Sequence, residues 1–238
     1  MTSTRRFLLW HCLVPTLITG VVFIVLRRFN LDEKLALVFF NGTQWPFKDD
    51  WLLNRVIHNG GHKFALAAYG ALVLVFIYRL LRRYPSAALA YAITSITLSV
   101  LAVNLAKHLL HFPCPWDAFN DLGQLTPYTW LPQQAGCFPA GHASSGYAWL
   151  SFYYVARLYS PQWRATFAAL AIAVGLCFGI AQQIRGAHFI SHDLICLYLC
   201  WMVASLVFYF WPKLHSQPIP APLPTAPKTP KAPADGII

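Results

Sequence analysis

The residues best placed for chemistry sit in three short stretches. In Cys137-Phe138-Pro139-Ala140-Gly141-His142-Ala143-Ser144-Ser145-Gly146, a histidine follows directly after a Pro-x-Gly turn, and an apolar helix begins just behind it. Proline and glycine fix such a turn. The helix N-terminus offers unpaired N–H groups and a positive dipole end for an anion. The second stretch runs from Lys107 to Pro115, and the third is Arg185-Gly186-Ala187-His188-Phe189-Ile190-Ser191-His192-Asp193. Two cations, Lys107 and Arg185, together with a helix N-terminus suit a phosphate. Two histidines can divide a phosphoryl transfer: one attacks phosphorus while the other protonates the leaving oxygen. The clamp would stabilise charge on the equatorial oxygens. Interfacial snorkelling by Lys107 and Arg185, with the histidines as helix caps, fits the same residues, and spacing alone leaves both readings open.

These stretches need elements to carry them, and the composition says which. The 238 residues are 57% hydrophobic and only 11% charged, with a mean hydropathy of +0.48. Soluble domains carry about 25% charged residues, so the chain reads as a membrane protein. Its 18 Lys+Arg against 8 Asp+Glu would point to nucleic acid in a soluble protein; in a membrane the distribution of charge explains the excess without it. Six apolar runs are expected to span: Phe7 to Leu26, Phe64 to Leu81, Ala87 to Ala106, Ala143 to Leu158, Ala165 to Gln183, and Phe189 to Trp211. Each approaches the ~20 residues that cross a bilayer. The first lacks a small-residue cleavage site and reads as a retained helix. Arg27 to His62 reads as a polar-aromatic loop, and His108 to Gly141 as a long loop, a kind that is usually functional or disordered. Residues 212–238 read as a disordered Pro/Lys-rich tail. The expected fold is all-α: a six-helix polytopic domain over 1–211, with both termini cytoplasmic.

Arg79, Arg82 and Arg83 after the second run, and Arg157 and Arg164 after the fourth, put those turns inside. All three chemical stretches then share the outer face. Cys12, Cys177, Cys196 and Cys200 lie in apolar runs and read as core thiols. Cys114 and Cys137 both fall in the outer loop. An oxidising compartment would allow a disulfide there; two unrelated thiols are the alternative. His188 and His192, His58 and His62, and His108 and His111 have helix-turn spacing, but no carboxylate–histidine set completes a zinc site, so no metal or other cofactor is expected. Asn41-Gly42-Thr43 reads as a chance glycosylation sequon. Asn104 reads as an interhelical hydrogen bonder. Tyr147, Trp149, Tyr153 and Tyr154 either line a lipid groove or pack.

The three stretches together resemble the signatures of the type 2 phosphatidic acid phosphatase family, over about residues 64–211. Lys107 and Pro115 match the first signature. Pro139, Gly141 and His142 match the second. Gly186-Ala187-His188-Phe189 is similar to the text around the family nucleophile. The chain departs from the pattern at several positions. Cys114 stands for the first arginine and Ala140 for the motif serine. Ala181-Gln182 stands for Ser-Arg, and His192 for the aspartate, with Asp193 next to it. Arg185, three residues after Gln182, would supply the guanidinium from one helical turn away. The resemblance implies metal-independent hydrolysis of a lipid phosphomonoester or diphosphate. His188 would be the nucleophile and His142 the acid and base. Lys107, Arg185 and the Ala140 and Gly141 amides would hold phosphate, and His192 or Asp193 would orient His188. The expected partners are such a lipid substrate (undecaprenyl diphosphate, phosphatidate or lipid A type) and the lipids of a bacterial inner membrane. Phosphotransfer to another lipid, and a catalytically silent lipid binder, are the alternatives. A soluble haloperoxidase sharing the motifs is set aside, because the apolar runs leave no soluble surface.

Overall fold

The computed structural model describes residues 3–119 and 136–211. The tail, read above as disordered, and the middle of the long loop lie outside the described residues. Regular structure among the described residues is helical throughout. Helix α1 (Thr4–Arg28) widens into a π turn at Leu9–Leu13, just before Pro15, whose ring supplies no N–H to the ladder. A short α2 (Leu31–Leu37) follows. Helix α3 spans Trp51–Leu81 and α4 Ala87–Leu110. The single turn α5 (Pro115–Ala118) precedes the undescribed segment. Helix α6 covers 144–159 with a 3₁₀ turn at Ala148–Leu150. Helices α7 (Arg164–Ile184) and α8 (Ile190–Tyr209) close the bundle.

Five segments are long and apolar enough to cross a membrane: Thr4–Arg28, Trp51–Leu81, Ala87–Ala118, Pro161–Ile184 and Ile190–Tyr209. The expected fourth span, α6, falls short of that length. It lies inside the bundle, where its partners are other helices. Tyr147, Ala148 and Leu150 of α6 are buried against Ile96 and Val103 of α4, Ala171 of α7, and Cys196 and Cys200 of α8, and Tyr154 is buried with Tyr91 of α4 and Ala204 and Phe208 of α8. By contrast, α1 and α3 turn Leu17, Ile18, Ile24, Phe64, Leu74 and Leu81 outward. An apolar exterior of this extent suits lipid.

The segment read as a loop from Arg27 to His62 is partly helical. Asp50 accepts the Leu53 N–H at 2.9 Å and so caps α3 at Trp51, well before Phe64. The polar run His58-Asn59-Gly60-Gly61-His62 resembles a helix breaker, yet the helix passes through it. In apolar surroundings the backbone has to satisfy its own hydrogen bonds, and a helix does so. His58 and His62 therefore lie one turn apart on the same helix. In α2, Asp32 is buried and its Oδ1 accepts the Ser191 N–H at 2.9 Å. This carboxylate satisfies one of the orphan donors that begin α8.

Close approach of α6 and α7 depends on glycine. A Cβ on Gly146 would lie 2.3 Å from the Gly175 nitrogen, and one on Gly175 would lie 2.1 Å from the Tyr147 ring. Small residues at such crossings let backbones pack tightly in a membrane. Gly175→Val is expected to destabilise the detergent-solubilised chain by about 1–3 kcal/mol, the usual range for overpacking. Its thermal unfolding checks this; an unchanged midpoint would contradict the close crossing.

Candidate active site

Four elements bring the chemical residues to one end of the bundle. Lys107 is on the last turn of α4, and His142 is in the turn that leads into α6. Arg185 and His188 lie in the turn between α7 and α8, and His192 is on the first turn of α8. Backbone hydrogen bonds tie these pieces together. Cys137 N–H donates to the Phe112 carbonyl at 2.7 Å, Ala140 N–H to the His192 carbonyl at 3.1 Å, and Trp116 N–H to the Gly186 carbonyl at 3.0 Å. Gly186 has φ +77°, which favours glycine, and a Cβ there would meet the Trp45 ring at 2.3 Å. The chain therefore turns sharply just before His188. The sulfurs of Cys114 and Cys137 are in bonding contact, with Cα atoms 5.1 Å apart. They pin the start of the His142 stretch beside the end of α4.

The Ala140 amide is a correction to the sequence reading. It is already bonded to His192 and holds the turn rather than an anion. Among the described residues, the N–H groups of Gly141, His142 and Ala143 have no hydrogen-bond partner, so the donors of this turn that face an incoming anion begin at Gly141. Ser144 Oγ donates to the Gly141 carbonyl at 2.6 Å and fixes the turn from inside.

His188 is buried, and its Nδ1 stands 3.4 Å from Nδ1 of His192. Asp193 faces elsewhere: its Oδ2 accepts a short hydrogen bond from Gln183, and its carboxylate lies against Gly179. Of the two neighbours read as possible partners of the nucleophile, His192 is thus the one that meets its ring. Phe138 and Phe189 pack edge-on against His192, at 5.2 and 5.3 Å between ring centroids.

Around His142 the structure adds residues that the motifs do not contain. The His58 ring lies 3.8 Å from the His142 ring, centroid to centroid, and His62 stands at 5.8 Å. The Gln182 amide donates to His58 Nδ1 at 2.6 Å, which places the His58 proton on Nε2. Gln182 Oε1 accepts from the Arg185 NH1 group at 3.1 Å, and Arg185 Nε donates to the Lys48 carbonyl at 2.7 Å. The family's arginine position thus holds a buried amide that links Arg185 to His58. Its signal in the sequence is the helix-turn spacing of His58 and His62, which by itself suits a metal pair equally well. Among the described residues no group of three or more His, Cys, Asp or Glu side chains is arranged to hold a metal ion.

Electrostatically the site is crowded with cations. Burial first, then His58, His62, Lys107 and Arg185, push His142 down to about 3. His188 is held well below its ordinary value by burial, then by His192, Lys107 and His142, against a smaller upward pull from the Cys137 backbone. In the free protein both rings are therefore neutral at pH 7, whereas the motif reading needs a protonated His142.

Two apolar grooves reach this end of the bundle. One of about 340 Å³ runs between α3, α6 and α7, past Phe64, Phe152 and Phe178. The other, of about 250 Å³, runs between α3, α4 and α6, past Leu66, Tyr69 and Leu101, and includes His62. Ser145 and Trp149 line both. Trp149 thus serves a groove, whereas Tyr147 and Tyr154 are core residues. Asn104 donates to Val100 of its own helix at 3.0 Å rather than across helices. Asn41 Oδ1 accepts from the Thr43 and Gln44 amides, so that asparagine builds a turn.

A helical membrane bundle with paired histidines beside a lysine at one end defines the class of the protein. Residues 88–216, more than half of the chain, match the family described as the PAP2 superfamily. The chain belongs to the PAP2 superfamily, and its membership suggests phosphatase-type activity on lipid phosphates. No curated protein and no solved structure matches it. The match begins within α4, so α1 to α3, including His58 and Asp32, lie outside it.

Both buried histidines make stability depend on acid. With folded values below the ordinary 6.5, the unfolded chain binds more protons than the folded one as pH falls below about 6.5 towards 3. Stability is therefore retained above about pH 6.5 and falls through that window. Thermal unfolding in detergent is expected to shift down between pH 7 and pH 5, and less so in His142→Gln. An equal shift in both proteins would contradict the neutral buried state of His142.

Proposed function

We propose that the chain is a metal-independent lipid phosphatase, acting on a phosphomonoester or diphosphate at the outer membrane face through a phosphohistidine. The observation that carries this reading is the placing of His188 and His142 beside Lys107, at the head of two apolar grooves. The lipid tail lies in a groove, and the headgroup reaches past His62 to the histidines.

His192 Nδ1 accepts the His188 Nδ1 proton, which leaves the His188 Nε2 lone pair free. That nitrogen attacks phosphorus, a P–N bond forms, and the bond to the lipid oxygen breaks. His142 gives its proton to the departing oxygen. Water then attacks phosphorus while His142 removes its proton; the P–N bond breaks, and phosphate leaves with His188 restored. Lys107, the Gly141 amide and Arg185 stabilise the equatorial oxygens. Arg185 acts through its charge and its remaining NH2 donors, because Nε and NH1 are held by protein acceptors. Asp193 supports α7 and α8 through Gln183 rather than touching the nucleophile. His58 positions His142 by stacking, and Gln182 fixes the His58 tautomer.

The substrate supplies what His142 lacks. A phosphate dianion among these cations offsets the forces that hold the ring neutral, so binding brings in a proton. Calorimetric titration with inorganic phosphate at pH 7, in buffers of different ionisation enthalpy, is expected to show about one proton more taken up by wild type than by His142→Gln; equal proton balances in the two would contradict this role.

A second reading, phosphotransfer to another lipid, is favoured by the paired grooves, which would seat donor and acceptor side by side. Phosphate release from a panel of undecaprenyl diphosphate, phosphatidate, phosphatidylglycerophosphate and lipid A separates the two. Release by wild type, undiminished by chelator and reduced at least ~100-fold in His188→Ala and His142→Ala, is the expected result. Release only when acceptor lipid is added would favour transfer. Equal release by His188→Ala would overturn both. A Cys114–Cys137 disulfide pins the His142 stretch; Cys137→Ser is expected to lower activity and the unfolding midpoint together, and a variant unchanged in both would remove that tie.

A further inference from the structure

At the end of the bundle away from His142 and His188, a cavity of about 1130 Å³ opens between α1, α6, α8 and the start of α7. Arg6, Arg157, Arg164 and His11 line it, with Trp10 and Phe210 among its aromatic residues. Along α8, His192 and Phe208 mark the two ends, about 24 Å apart at 1.5 Å per residue. The cavity and the catalytic end are therefore separate places.

Arg157 anchors it, and its orientation is fixed by a chain of hydrogen bonds whose direction can be assigned. An arginine is always protonated, so its NH1 group donates to His11 Nε2, at 2.6 Å. The His11 proton then sits on Nδ1 and donates to the Tyr154 hydroxyl at 3.2 Å. Ser205 donates to the Trp201 carbonyl at 2.7 Å, so the Tyr154 hydroxyl donates to Ser205 Oγ, at 2.6 Å. Trp201 Nε1 closes the ring by donating to the His11 carbonyl at 2.9 Å. The guanidinium also lies 5.8 Å from the Phe7 ring. Tyr154 and Ser205 are buried, so the base of this network is rigid.

What the network lacks is a negative charge. Among the described residues no carboxylate lines the cavity, and their ion pairs all belong to Arg27. Three guanidiniums around a half-enclosed space are costly without a counter-ion. The planar fork of arginine matches phosphate oxygens in pairs. The space exceeds what a bare phosphate fills and is as large as a site for a whole small ligand, commonly ~300–1,000 Å³. Trp10 and Phe210, both well exposed, are residues that favour the headgroup level of a membrane.

We propose that this cavity is a second phosphate site, independent of the catalytic reading, that holds the headgroup of an anionic phospholipid of the leaflet opposite the active site. Arg157 grips the phosphate from the rigid base. Arg164 and Arg6 close over it from the exposed rim, and the aromatic residues take the glycerol and upper acyl chain.

Native mass spectrometry of the full chain in nonionic detergent tests the assignment, with phosphatidylglycerol against phosphatidylcholine. One retained phosphatidylglycerol per chain is expected, preferred at least tenfold. Retention should persist in Lys107→Gln, which alters the catalytic end, and be lost in Arg157→Gln. Arg164 is exposed, so Arg164→Gln keeps the fold and should weaken retention severalfold. Retention unchanged in both arginine variants, lost in Lys107→Gln alone, or equal for the two lipids would overturn the proposal. Inorganic phosphate is the second arm. If it raises the unfolding midpoint of wild type and Lys107→Gln but not of Arg157→Gln, and no lipid is retained, the phosphate site stands and its lipid source is overturned.

Discussion

An excess of positive charge, held at the apolar end of a helical bundle, is the condition on which the catalytic end depends. Lys107 and Arg185 act on His142, and Lys107 acts on His188. Of the carboxylates nearby, Asp49 acts on Arg185, and Asp193 is occupied by Gln183. Low dielectric strengthens every one of these interactions. The free site thus holds its histidines neutral. In the proposed reaction a dianionic phosphate would do two things on arrival: it would balance the cations, and it would let His142 take up the proton that the chemistry needs. Binding and activation would then be one event.

Much of this was legible in the sequence because the chemistry is carried by residues that rarely occur near membrane depth without a reason. Lys107, His142, Arg185, His188 and His192 do converge at one end of the bundle. The all-helical membrane fold also followed from composition and run length. Three things did not follow. The start of α3 at Trp51 was hidden because His58-Asn59-Gly60-Gly61-His62 looks like a breaker in water, whereas an apolar medium keeps the helix going. The Ala140 amide looked free because its partner, the His192 carbonyl, is remote in sequence. And α6, a short run in the sequence too, has helices rather than lipid as its partners, which a run of apolar residues does not reveal.

Residues of α2, of the segment before α3 and of α3 itself, all outside the family match, reach the site. His58 stacks on His142, Lys48 offers its carbonyl to Arg185, and Asp32 caps the helix that carries His192. Meanwhile Gln182 replaces the arginine of the motif and turns to His58. Arg185, Gln182, His58 and His142 thus form one chain of contacts. The N-terminal third of the chain is thus part of the site rather than an anchor alone.

The central claim is a covalent intermediate on His188, and rapid quenching tests it most directly. The full chain is mixed with a lipid phosphate carrying ³²P, quenched in alkali within milliseconds, and the labelled peptide is located. The account expects a base-stable, acid-labile label on His188 in wild type, longer-lived in His142→Ala, where water is no longer activated, and absent in His188→Ala. Turnover with no label on the protein, or a label on His142 in its place, would contradict it.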